Sequence, residues 1–93
     1  MSVIVRIPVP LQNLTGNQPT VQVEGTSVGE VLQHLEARHP GIAVSILDDR
    51  GQLRRFVNVF VNEDNVKTLG GEKAAVQDGD EISIIPAIAG GRL

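Results

Sequence analysis

One stretch of helical periodicity stands among apolar runs that alternate every second residue, and that contrast constrains the fold. Val28, Val31, Leu32 and Leu35 fall at i, i+3, i+4 and i+7, a single apolar stripe of a helix. Thr26 and Ser27 both offer an N-cap ahead of it. Ser27 and Glu30 have capping-box spacing, and the sequence leaves open which hydroxyl caps. Pro40 and Gly41 stop the helix, with His39 in its last turn. The chain thus predicts one long helix, with sheet and turns for the rest.

The strands follow from alternation. Val3 to Ile7 is a first strand, ended by Pro8 and Pro10, which cannot donate to a sheet ladder. Asn13 to Pro19 reads as a turn-rich connection, and Thr20 to Glu24 alternates polar and apolar, so the first two strands form a hairpin. Ile42, Val44, Ile46 and Leu47 are apolar without a decisive period, and Asp48-Asp49-Arg50-Gly51 is a turn. Phe56 to Val61 is the strongest strand. Asn62 to Asn65 turns, Val66 to Leu69 is expected to pair briefly, and Gly70-Gly71 reads as an ordinary loop. Gln77 to Asp80 is a second tight turn, and Glu81 to Ile85 is the last strand. The order strand, strand, helix, strand, short strand, strand is that of an α+β, β-grasp (ubiquitin-like) fold, a mixed sheet packed on one main helix. We expect residues 1–89 to form this domain and residues 90–93 a flexible C-terminal tail.

Composition removes many functions. With 93 residues there is room for one domain and one modest core. Phe56 and Phe60 are the only aromatics, so the core must be Val, Ile and Leu. No cysteine is present, which excludes a disulfide scaffold, a thiol nucleophile, Cys-bound zinc and a cysteine-ligated iron–sulfur cluster. A net charge of −3, from 8 basic and 11 acidic residues, argues against a nucleic-acid partner. Neither a leader-type segment nor a bilayer-length apolar run is found, so the expectation is a cytoplasmic protein with no membrane partner.

Chemistry concentrates at the end of the chain. The last strand passes through Pro86 into Ala87-Ile88-Ala89-Gly90-Gly91-Arg92-Leu93. Paired glycines make a slender, permissive segment that can thread a narrow active site and present a main-chain carboxylate as the reacting group.

Together these features resemble a known family. The β-grasp order, the strand Arg55-Phe56-Val57-Asn58-Val59-Phe60-Val61-Asn62, the segment Asp78-Gly79-Asp80-Glu81-Ile82 and the Gly90-Gly91 ending look like the ubiquitin-like sulfur carriers of the MoaD/ThiS group, nearest its CysO-type branch. The resemblance implies that an E1-like adenylyltransferase uses ATP to adenylate the Gly91 carboxylate. Sulfur transfer then gives a thiocarboxylate, which donates sulfur on a sulfur-accepting synthase. It implies a chain that is not an enzyme, binds no cofactor and leaves ATP to its partner. Cysteine biosynthesis is favoured, with molybdopterin and thiamin routes as alternatives.

Arg92-Leu93 departs from the family pattern, because Gly91 is locked in a peptide bond. The expectation is a precursor trimmed by a protease, with a JAMM-type metalloprotease as the expected class. The alternatives are a ubiquitin-like protein modifier that forms isopeptide bonds through Gly91, and a β-grasp interaction module with an inert tail. For docking, the expected surface is Phe60 with Ile88, Ala89 and Gly90. Val57, Val59 and Val61 should face the core and the Phe/Asn side should face outward, with Phe56 open between a minor core and a contact. His34 and His39, five apart, read as solvated helix residues, Asp78 and Asp80 as turn residues, and Arg54-Arg55 as a solvated edge.

Overall fold

A computed structural model describes residues 2–50, 53–54 and 57–86. Strand β1 (Ser2–Arg6) pairs antiparallel with β2 (Thr20–Glu24), Val3 opposite Val23 and Val5 opposite Val21. Helix α1 (Val28–Arg38) and a short α2 (Ile42–Ile46) follow, then β3 (Val57–Val61), β4 (Asp64–Asn65) and β5 (Glu81–Pro86). The sheet order is β2-β1-β5-β3-β4, with β5 parallel to β1 and antiparallel to β3. The last strand therefore occupies the middle of the sheet, as the expected β-grasp requires. The expected boundary between residues 89 and 90 lies outside the described residues.

Alternation decides which face is buried. Val3, Val5, Val21, Val23, Val57, Val59, Val61, Ile82 and Ile84 point to one side and are buried with Val28, Val31, Leu32 and Leu35 of α1. The core is aliphatic, as the scarcity of aromatics demands, and the all-valine side of β3 lies on it. Gly25 lets the chain turn from β2 into α1 at close quarters. A Cβ there would stand 2.6 Å from Val31 Cγ2.

Ser27 is the N-cap: its Oγ accepts the Glu30 N–H at 3.2 Å. The Glu30 carboxylate reaches past Ser27 to accept the Thr26 N–H at 2.7 Å and the Thr26 hydroxyl at 3.1 Å. Both candidate hydroxyls are thus used, one as the cap and one as the reciprocal partner. These bonds, that of the Thr26 N–H first, hold the Glu30 carboxyl below its ordinary range.

Three segments differ from the sequence expectation. Ile42–Ile46, which the sequence left without a decisive period, is the short helix α2. The β1–β2 connection holds a 3-10 helix, Val9–Thr15, ahead of the turn at Gly16-Asn17. Buried Thr15 closes it, its hydroxyl 2.9 Å from the Gln18 carbonyl and 3.1 Å from that of Gln12. The residues that pair beside β3 are Asp64 and Asn65, opposite Val61 and Phe60, whereas Val66–Thr68 is a 3-10 turn. Asn65 explains the shift: its side-chain oxygen accepts the Lys67 N–H at 2.9 Å and caps that turn.

Candidate functional site

The candidate site is the end of β5 and the sheet face around it. Although β5 is central, only β3 accompanies it to its end. Pro86 pairs with Val57 at the start of β3, while β1 last pairs with β5 at Arg6–Ser83. Strand β5 thus ends beside the beginning of β3. Glu81 to Ile85 is anchored at its other end by the Gln77–Asp80 turn. Asp78 accepts the Ser2 N–H at 2.9 Å, and Asp80 accepts the Gln77 N–H at 2.9 Å and the Asn62 amide at 3.2 Å. Both carboxylates hold backbone and neighbouring strands together, which is the turn role expected of them.

On the face away from α1, Phe60 lies opposite Ser83 on one side and Asn65 on the other, and Asn58 lies opposite Ile85. Phe60 and Ile85 are therefore diagonal neighbours, within reach of one another across about 7–8 Å. Ile85 is 49% and Ile4 42% exposed, and Phe60 is partly buried. The Arg6–Glu81 ion pair, N to O 3.2 Å, sits among them with both partners well exposed. Exposed apolar side chains beside an exposed ion pair make a surface suited to protein docking.

Of the sequence-predicted site residues, the structure places Phe60 on this face. Ile88, Ala89, Gly90 and Gly91, like Phe56, Arg55 and the Arg92-Leu93 extension, lie outside the described residues. Ile85 and Ile4 were missed as members of the face. Their signal was in the sequence: Ile85 has the phase of Glu81 and Ser83, opposite to core-facing Ile82 and Ile84, and Ile4 has the phase of Arg6. His34 and His39 do not converge. The His34 Nδ1–H donates to the Glu24 carbonyl at 2.6 Å, and His39 is the C-cap of α1. Among the described residues no group of three or more His, Asp or Glu could hold a metal ion. None of their helices is long and apolar enough to cross a membrane.

A match to the ThiS family model runs over residues 5–91. The chain belongs to the ThiS family. It is 43% identical over 93 residues to the sulfur carrier protein CysO of Mycobacterium tuberculosis, covering 98% of this chain and all of the relative. A chain of the Amycolatopsis orientalis BexX/CysO complex superposes with a TM-score of 0.90 at 42% identity, covering 96% of this chain and 99% of that one. Small archaeal modifier protein 3 of Haloferax volcanii is 40% identical over 68 residues, 73% of each chain. The ubiquitin-like β-grasp and the MoaD/ThiS, CysO-type resemblance both stand.

Proposed function

We propose that this chain is a cytoplasmic sulfur carrier whose reacting group is the main-chain carboxylate of Gly91. The observation that carries the reading is the ThiS-family match, which runs to Gly91 and leaves Arg92-Leu93 outside. Hydrolysis of the Gly91–Arg92 bond by a JAMM-type metalloprotease frees the carboxylate. Its oxygen attacks the α-phosphorus of ATP on an E1-like adenylyltransferase, and pyrophosphate leaves. Hydrosulfide then attacks the acyl carbon and displaces AMP to give the thiocarboxylate. That sulfur attacks an electrophilic carbon of the substrate held by a synthase, expelling the substrate's leaving group and forming a thioester. The carrier supplies the tethered acyl group, its partners supply catalysis, and ATP is bound by the partner alone. Cysteine biosynthesis is the favoured destination because the CysO proteins match along their whole length. Molybdopterin and thiamin remain the alternatives.

Geometry supports docking of the body as well as the tail. Gly91 is the fifth residue after Pro86, and five extended residues span at most about 18 Å. An active site that takes Gly91 therefore lies close to the end of β5, and the partner meets Phe60, Ile85 and Ile4, with Ile88, Ala89 and Gly90 continuing towards the reacting carboxylate. The second reading, a protein modifier joined through Gly91 to lysines, draws on the likeness to the archaeal modifier.

ATP–pyrophosphate exchange with the E1-like partner tests the proposal. A chain ending at Gly91 should support exchange, and the chain ending at Leu93 should not. Equal exchange by both would refute the precursor step, and exchange by neither would refute the carrier role. Formation of lysine conjugates without thiocarboxylate would favour the modifier.

A further inference from the structure

The three described cations whose side chains have no hydrogen-bond or ion-pair partner all line one cavity. Arg6 pairs with Glu81, Arg38 donates to the Gln22 carbonyl at 2.7 Å, and Arg54 donates through Nε to the Val44 carbonyl at 3.1 Å. Arg50, Lys67 and Lys73 remain, and all three border an open cavity of about 600 Å³ together with Leu53, Gly70, Gly71 and Glu72. Lys67 and Lys73 are the only lysines of the chain. Three cations against one carboxylate give this concavity a local charge of +2 on a protein of net charge −3. Unpaired like charges brought together repel one another, and an anion in the cavity relieves that repulsion.

The floor and rim fit a small ligand. The volume lies in the range of small-molecule sites, and Leu53 adds an apolar wall. Gly70 and Gly71 hold φ of +105° and +69°, with open space where a Cβ would stand, so a ligand can approach the bare backbone. Lysine ammonium groups act as point charges for phosphate, and the arginine fork can bind two oxygens at once. None of the lining residues belongs to a strand, and none is among the residues of the outer sheet face. We propose that this cavity is a binding site for a small multivalent oxyanion of the phosphate-ester or polyphosphate class. The site is independent of the chemistry at Gly91.

Titration of the full 15N-labelled chain with inorganic pyrophosphate, at constant ionic strength, tests this. Saturable shifts should be confined to the amides of Lys67, Gly70, Gly71, Glu72 and Lys73. The double variant Lys67→Ala/Lys73→Ala should bind at least about tenfold more weakly, the loss expected for charge-assisted contacts. Arg38→Ala, remote from the cavity, should bind as the parent does. The well-dispersed spectrum of each variant verifies that it is folded. Shifts that fail to saturate, or that spread equally to Arg6, Arg38 and Arg54, would overturn the site. So would amides that ignore pyrophosphate and respond to an acidic peptide, since the occupant would then be a protein segment.

Discussion

The Glu36 carboxylate of α1 accepts the backbone N–H of Ala43 at 2.8 Å, and it also accepts that of Gly41 at 3.0 Å. A side chain of one helix thereby supplies the acceptor that the first turn of the next one lacks. These bonds, the Ala43 N–H first, hold the Glu36 carboxyl below its ordinary range. Glu30 is lowered in the same direction by Thr26.

Stability should therefore depend on acid in a definite sense. A carboxyl lowered by folding binds its proton more readily in the unfolded chain. Its contribution is complete above the unfolded pKa, near 4.3, and is lost as pH falls through the lower folded value. Melting temperature should be flat from neutral pH to about 5 and decline below about 4.3. Glu36→Gln should lower the plateau and flatten the acid decline. An unchanged slope would show that the Ala43 and Gly41 bonds carry none of it.

Leu35 has no exposed surface and sits between α1 and the sheet. Leu35→Ala should cost about 2–5 kcal/mol in urea unfolding, from lost transfer free energy and the cavity left behind. A loss under about 1 kcal/mol, typical of a surface site, would place α1 elsewhere.

The free edge of β2 is closed by α1. Arg38 donates to the Gln22 carbonyl and His34 to the Glu24 carbonyl, so two edge acceptors are already occupied. Arg38→Ala should leave stability within about 1 kcal/mol and raise concentration-dependent self-association, read by sedimentation. A strictly monomeric variant at high concentration would remove the protective role.

On the outer face, Ile85→Asp should change stability little, because the side chain is half exposed. Binding to the E1-like partner should weaken by tenfold or more, as for an interface anchor of about 1.4 kcal/mol. Phe60→Ala should act in the same direction. Unaltered binding by both variants would move the docking surface off this face.

Much of the fold was legible because it depends on periodicities that each residue reports locally. The stripe from Val28 to Leu35 and the alternation of Val57, Val59 and Val61 named both halves of the core. Helix α2 was not legible. Ile42, Val44 and Ile46 are spaced two apart, yet in the structure Ile42 and Ile46 are buried while Val44 is 67% exposed, which is helical geometry. A five-residue helix is too short to be set by propensity. It forms because Glu36 caps it from another element and the core takes its two isoleucines. The brief pairing was expected over Val66 to Leu69, but Val66 is buried in a turn capped by Asn65. Phe60 was found from its phase on β3. Ile85 and Ile4 carry the outward phase in the sequence, but their place beside Phe60 comes from the register of β5 against β3 and β1.

The carrier reading is tested most directly by the intact mass of the endogenous, untagged protein from cells grown under sulfur demand. The account predicts loss of Arg92 and Leu93, with a fraction of the molecules heavier by one oxygen-to-sulfur exchange at Gly91. A uniform chain that retains Leu93 and shows no oxygen-to-sulfur exchange would contradict it.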